Sequence, residues 1–354
     1  MSNNVSTLGQ LLDNNLRMRT VRTQLNDLQT QLSTGKKAQL LSGLGDDAIT
    51  SVRTRASLKQ IAVYQANIDN GTTRIKQMTN VINQIKGQTK NVLDVLMGEQ
   101  QKGDINLEMI HDFAHDALDQ VRDLLNSKDD DRYLLAGADA FTTPLDKNGI
   151  HETYMITQFN AWQAGTIDTD TLITNYKATP ETTMGYSAPL SSDLVRGVTI
   201  RADVGTEVDY TLLADSDGFK KILNSLALLD QMDLDKISLE DDDNPLTTQT
   251  APGADAETQR DNFFTLYEDV IRTIKDGVND LVLEEQRLER ASLQLGNLQE
   301  DHTADKNALE TLLGKVEDAD TAEVATRLSS LQIQLSASYQ VTARLGQLTL
   351  SNYL

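Results

Sequence analysis

His111 and His115 stand four residues apart, the spacing that places two imidazoles on one face of a helix, with Asp112, Asp116 and Asp119 beside them. Zinc takes such a pair as two of its ligands, but a third must come from elsewhere, and an exposed polar helix face explains the same spacing. His151-Glu152 opens a zincin-like pattern that fails, because position 155 is Met155. The run Gly43-Leu44-Gly45-Asp46-Asp47-Ala48 is a loose dinucleotide fingerprint. It follows a helical pattern rather than a strand, and its two aspartates would repel a pyrophosphate. The acidic runs at 129–131 and 240–243 could attract calcium weakly, yet neither completes an EF-hand loop. Trp162 reads as core, no nucleophile has a base at readable spacing, and no cysteine is available for a thiolate. These residues imply no catalytic, cofactor or metal site.

The periodicity behind them is more informative. Ile61, Ile68, Ile75, Ile82, Thr89 and Leu96 recur every seventh residue, and Tyr64, Gly71, Met78, Ile85 and Val92 follow three places after the first five. This spacing keeps a narrow apolar seam on one side of a long helix and lets it supercoil with another. A helix with such a seam cannot bury it alone, and each Ile or Leu left wet forfeits roughly 1.5–3 kcal/mol. A second run near the other end offers a partner: Tyr267, Ile274, Leu281, Leu288 and Leu295, with Phe264, Ile271 and Val278 in the alternate rank. The competing interpretation is an ordinary helical bundle core.

The bulk numbers suit long polar helices: 354 residues, 39% hydrophobic, 5% aromatic and five prolines. A formal charge of -21 argues against nucleic acid and anionic membrane as partners. The charge is uneven, because residues 1–60 carry eight basic groups against four acidic ones. That basic start could favour subunit association, or be a solvated face. The first thirty residues contain neither a signal-peptide pattern nor an apolar run of membrane length.

Taken in order, residues 5–32 form an amphipathic helix (Leu8, Leu11, Leu12, Val21, Leu25, Leu28, Leu32), closed by Ser33-Thr34-Gly35-Lys36-Lys37 with glycine where a C-cap wants it. A loop at 38–47 leads into the heptad helix, and Asp104 or Asn106 can cap a third helix ending at Leu125. From Phe141 to about Thr250, threonine, glycine and the chain's first prolines mark loops and short strands. Residues 198–202 and 208–213 alternate as a hairpin, and 219–229 read as a helix. The second heptad helix runs from Ala256 to about Glu300, and Val324, Leu328, Leu331 and Leu335 give the closing helix its stripe.

The expected fold is mainly α with an inserted β-rich domain, the N- and C-terminal segments forming a long antiparallel coiled-coil helical rod. The expected division is 1–45, a terminal helix and loop pairing with 305–354; 46–140, rod helices; 141–254, the inserted outer domain; 255–304, the returning rod helix; and 305–354, the closing helix.

Both ends resemble the bacterial flagellin family. Leu32-Ser33-Thr34-Gly35-Lys36-Lys37, Asp46-Asp47-Ala48 and Asn67-Ile68-Asp69-Asn70-Gly71 match the family's N-terminal pattern in order and spacing. Lys315-Val316-Glu317-Asp318-Ala319-Asp320, then Ala322-Glu323, is similar to its C-terminal signature, with Lys315 and Val316 replacing Arg and Ile. The resemblance covers about 200 residues and omits the segment from Phe141 to Thr250. Arg132-Tyr133-Leu134-Leu135-Ala136-Gly137-Ala138-Asp139, Thr143-Pro144-Leu145 and the final Leu348 to Leu354 are similar to the family's hook-filament junction branch, although Leu135 and Leu145 replace its usual phenylalanines.

The resemblance implies a structural part of the bacterial flagellum, outside the cell, exported through the flagellar type III apparatus without signal cleavage. It implies a ring of subunits as the self-association. The other implied partners are a second hook-associated protein, flagellin, and an export chaperone on the C-terminal helix. The rival role is the filament subunit itself, and a secreted enzyme is a distant third. The expected interface residues are Leu25, Leu28, Leu32, Ile61, Ile68, Ile75, Ile82, Ile274, Leu281, Leu288, Leu328, Leu331 and Leu335.

Overall fold

The computed structural model describes residues 2–102, 104–192, 197–232, 237–238 and 251–351, with backbone alone at 2–8, 10–11, 102, 104, 237–238, 256 and 345–351. The acidic run at 240–243, the side chains of Leu8 and Leu11 and the final tripeptide of the junction-like ending lie outside the described residues. The chain is mainly α with a small β insert. In order it forms α1 (Ser2–Thr34), a 3-10 turn (Leu41–Leu44), α2 (Asp47–Lys102), β1 (Asp104–Ile105), α3 (Leu107–Leu125), β2 (Lys128–Asp129), β3 (Arg132–Tyr133) and α4 (Ile150–Gln163). There follow α5 (Thr169–Lys177), α6 (Glu181–Met184), α7 (Ala188–Ser191), β4 (Thr199–Asp203), β5 (Thr206–Asp209), α8 (Asp217–Leu229), β6 (Ile237–Ser238), α9 (Ala256–Glu317) and α10 (Thr321–Ser351). The described strands form antiparallel pairs, β1 with β6, β2 with β3 and β4 with β5.

The chain divides into two compact units, Met1–Val63 with Asp301–Leu354, and Tyr64–Glu300; α2 and α9 contribute to both. In the second unit the heptad residues are core. Ile68 and Ile75 are 2% exposed, and Ile82, Ile85 and Leu96 are fully buried, as are Ile274, Leu281, Leu288 and Leu295 on α9. Three bonds give the direction of pairing: Tyr267 OH to Leu96 O (2.8 Å), Lys86 Nζ to Glu285 Oε2 (2.6 Å) and Gln299 Nε2 to Asp69 Oδ1 (3.4 Å). Residue numbers rise along α9 as they fall along α2, so the helices are antiparallel. Thr89, the polar member of the seam, is buried and donates to Ile85 O at 2.8 Å, which satisfies its hydroxyl inside the helix. Gly71 departs from the expected seam pattern. A Cβ there would stand 1.9 Å from Ile200 Cδ1, so this position receives the β4–β5 hairpin.

Among its described residues, the segment expected to be β-rich holds the β4–β5 hairpin, the two-residue β6 and five helices, α4 to α8. The Thr-, Gly- and Pro-rich texture there marks helix starts: Asp168 caps α5 by accepting from Thr171 N (2.8 Å), Pro180 stands at the N-cap of α6, and α7 has proline in its first turn. Phe159, Trp162, Tyr176, Leu212, Phe219 and Leu223 from this segment share one apolar cluster with Ile75, Ile82, Val121 and Ile274.

Polar links fix the cluster's edges. The buried Asp269 of α9 accepts from Tyr176 OH (2.6 Å) and Lys177 Nζ (2.7 Å) of α5, and Arg272 also pairs with it. Two glycines bring α8 against α9. A Cβ on Gly277 would lie 3.0 Å from Gly218 O, and one on Gly218 would lie 3.0 Å from Gly277 O, so the backbones approach with no side chain between them. Also as the sequence predicts, α3 is capped by Asn106, whose Oδ1 accepts from Met109 N at 3.1 Å.

Ile82→Asp places an unpaired charge in a dry seam. The substitution is expected to cost at least about 3 kcal/mol and to lower Tm by roughly 10 °C in a thermal melt followed by circular dichroism. A variant that melts with the parent would show that the seam is misplaced.

Candidate assembly interface

The first unit is built on α1 and α10. Gly35, at φ +69°, ends α1 in the left-handed region that terminates helices. Just beyond it, Lys37 N donates to Glu317 O (2.7 Å) and Ala319 N donates to Gly35 O (2.8 Å), forming an antiparallel bridge between Lys36 and Asp318. Asp320 then starts α10, its Oδ1 accepting from Ala322 N (3.0 Å) and Glu323 N (3.1 Å). Farther along the pair, Arg22 Nε donates to Tyr339 OH at 2.9 Å, with the guanidinium 5.5 Å from the ring centroid. The N-terminal stretch 33–37 and the C-terminal stretch 315–320 therefore meet in space.

Glu317 is the centre of this joint. Its side chain is 6% exposed and accepts from Ser51 Oγ (2.6 Å) and from Arg55 Nε and Nη2 (2.7 and 2.6 Å), with Lys36 Nζ 3.5 Å away. The Arg55 hydrogen bonds are the largest influence, and the Glu317 carboxyl is held down to about 2 against the opposing effect of burial. Lys36 also pairs with Asp318 at 2.6 Å, which raises the lysine's pKa. Ser51 was not anticipated from the sequence, and Arg55 showed only as part of the basic bias. Their partner lies more than 260 positions away along the chain.

The apolar stripes of α1 and α10 are only partly covered. Leu25 and Val324 are buried, Leu28, Leu328, Leu331 and Leu335 are half-buried, and Leu32 is exposed. Leu12, Leu16, Ile333 and Val341 are exposed as well, the leucines by about 60%. A cleft of about 450 Å³ between the helices is lined by Asp27, Leu28, Gln31, Arg327 and Leu331. One helix pair has a single contact line, so the remaining apolar surface stays wet until something else covers it. Of the other expected interface residues, Ile61 is buried in this unit, whereas Ile68, Ile75, Ile82, Ile274, Leu281 and Leu288 lie in the core of the second unit.

Residues 266–354, which include the whole α9–α10 joint, match the family model of the bacterial flagellin C-terminal helical region. The likeness to the flagellin C-terminal region covers the last quarter of the chain. Among solved structures, the chain is similar to a putative flagellar hook-associated protein from Vibrio parahaemolyticus, at 11% identity over 76% of this chain and 96% of that one, with a TM-score of 0.43. It is also similar to Bacillus cereus FlgL, at 12% identity over 74% of this chain and 99% of that one, with a TM-score of 0.47. No curated protein matches the chain.

The residues with possible metal or catalytic chemistry have other partners in this fold. His111 Nδ1 lies 2.6 Å from Asp230 O, and His115 Nδ1 lies 2.8 Å from Asp230 Oδ1, a bond that raises the His115 pKa. His151 is buried with Nε2 2.9 Å from Asn224 Oδ1; burial, then the Arg122 charge, pushes it down to about 4, so it is neutral at pH 7. Glu152 pairs with Arg122, and Trp162 Nε1 donates to Thr169 Oγ1 at 3.1 Å. Among the described residues, no group of three or more His, Cys, Asp or Glu side chains is placed to hold a metal ion.

Because the folded pKa of Glu317 lies below its unfolded value, its contribution is present at neutral pH and is lost as pH falls from about 4.5 to about 2. Solvent around Arg55 and Lys36 reduces the contribution to roughly 1–2 kcal/mol. Glu317→Gln is expected to destabilise the chain by that amount at pH 7 and to flatten the acid limb of its stability curve, measured by urea unfolding at several pH values. An unchanged acid limb would show that this carboxylate is not the acid-sensitive group.

Proposed function

We propose that the chain is a structural subunit of the bacterial flagellum that joins hook to filament and assembles through its terminal helices. The supporting observation is the incompletely covered α1–α10 pair, whose C-terminal helix lies within the segment matching the flagellin C-terminal region. On this reading 1–45 and 305–354 are the joining part, 46–140 and 255–304 are the helices that carry it, and 141–254 is an inserted segment facing outward. Leu25, Leu28, Leu32, Leu328, Leu331 and Leu335 complete their burial when subunits form a closed ring. The paired seam residues on α2 and α9 stiffen the second unit. The partners are other copies of the chain, a second hook-associated protein, flagellin, and an export chaperone covering the C-terminal helix before assembly. The site of action is the extracellular flagellum, reached through the flagellar type III channel, and the role is not enzymatic.

The choice between junction protein and filament subunit rests on 132–139, 143–145 and the chain's ending, which favour the junction. A gene deletion distinguishes them. Loss of filaments with flagellin monomers released into the medium supports the junction role, whereas hooks that retain a junction but bear no filament support the filament subunit.

Assembly also has a physical signature. Short helix pairs with a single apolar line are marginal in water, and ordering them on association offsets part of the gain from burial. Amides in 5–32 and 324–350 are expected to exchange quickly in the isolated chain and to become protected in assembled material, measured by hydrogen exchange with mass spectrometry. Slow exchange at both ends of the isolated chain would remove the physical basis for assembly-driven ordering.

A further inference from the structure

We propose that a groove of about 620 Å³ between α2, the β2–β3 hairpin and the β4–β5 hairpin is an anion-binding site for a planar or tetrahedral oxyanion, a carboxylate or a phosphate. The chain as a whole carries a charge of -21, yet Arg74, Arg132 and Arg201 all line this groove, against the carboxylates of Asp129 and Asp130. Asp129 is already engaged, since its Oδ1 accepts from Gln77 Nε2 at 3.0 Å. Arg74 forms the floor. It is 9% exposed, its Nη2 donates to Tyr133 O (2.7 Å) and Leu134 O (3.3 Å), and its Nε is buried without a partner. Burial pushes Arg74 below the usual arginine range and the Arg132 charge acts in the same direction, while Tyr210 and Asp129 act against them.

A guanidinium does not give up its proton at physiological pH, so this buried cation stays charged, and Asp129, already bonded to Gln77, offsets it only in part. Across the hairpin from Arg201, Glu207 accepts from Thr199 Oγ1 at 3.2 Å. The walls are held in place before any ligand arrives. Gly71 lets Ile200 seat directly on α2, and Asn67 Nδ2 donates to Arg201 O at 3.2 Å. An oxyanion entering the groove would supply the missing charge and meet guanidinium donors suited to paired N–H···O bonds. It can arrive as a free anion or as an acidic side chain of a second copy of this chain.

The test uses the full chain titrated calorimetrically with inorganic phosphate at pH 7, with ionic strength held constant by exchange against chloride. Saturable one-to-one binding is expected, weakened at least tenfold in the double variant Arg132→Gln, Arg201→Gln. Both residues are exposed, so its melting curve should match the parent's. In the unmodified chain, phosphate should also protect Arg132 and Arg201 from phenylglyoxal, read by mass spectrometry. Absence of saturable binding, or equal binding by parent and double variant, overturns the proposal. Sedimentation then separates the two sources. Self-association weakened by phosphate and by the double variant identifies the second copy's carboxylates, and association indifferent to both identifies a free anion. This inference stands independently of the flagellar reading.

Discussion

An apolar stripe that is too narrow to be covered by its own helix must meet another stripe of the same period. In the second unit, α2 and α9 meet that requirement for each other. The hydrogen bonds from Tyr267 to Leu96 and from Lys86 to Glu285 fix the antiparallel direction, while Ile75, Ile82, Leu281 and Leu288 leave the solvent. The intervening segment begins and ends against these helices, so its own apolar residues have a surface to pack on. Phe159, Trp162, Tyr176 and Phe219 join the same cluster. Without the seam, the short helices α4 to α7 would have little to fold against, because none is long enough to be stable alone.

The seam was readable because its signal repeats: every seventh residue makes the same statement about the same face. The α3 cap at Asn106 and the β4–β5 hairpin were readable because each depends on a few adjacent residues. The helices α4 to α7 were not. Their large apolar residues are scattered among threonines and prolines, and short helices provide too few turns for a period to emerge. Nor could the polar links be read. Arg122 pairs with Glu152, and His151 with Asn224 on α8, through coincidences of tertiary position that no local spacing encodes.

The joint at Glu317 shows a similar mixture. The stretches at 33–37 and 315–320 stand out as family-like pieces within two ends expected to pair, but no local spacing says which of their residues touch. In the structure their residues have separate tasks: Gly35 ends one helix, Asp320 starts another, and Glu317 gathers Ser51, Arg55 and Lys36. The basic excess of the first sixty residues is thus partly neutralised within its own unit. Lys36 and Arg55 face carboxylates of the same chain, which weakens any case for that excess as a long-range attractor of other subunits.

The crossing of Gly218 over Gly277 has a mechanical consequence. Most helix contacts are cushioned by side chains that can change rotamer and let one element creep along the other. Here each carbonyl oxygen lies 3.0 Å from where the facing glycine's Cβ would stand, and Leu281 and Ile222 close in on either side. No compressible layer separates α8 from α9, so a sliding or twisting force on α9 is handed to α8 through main chain. In shear, the crossing behaves as a pin rather than a bearing, and it leaves that part of the molecule without a slip plane.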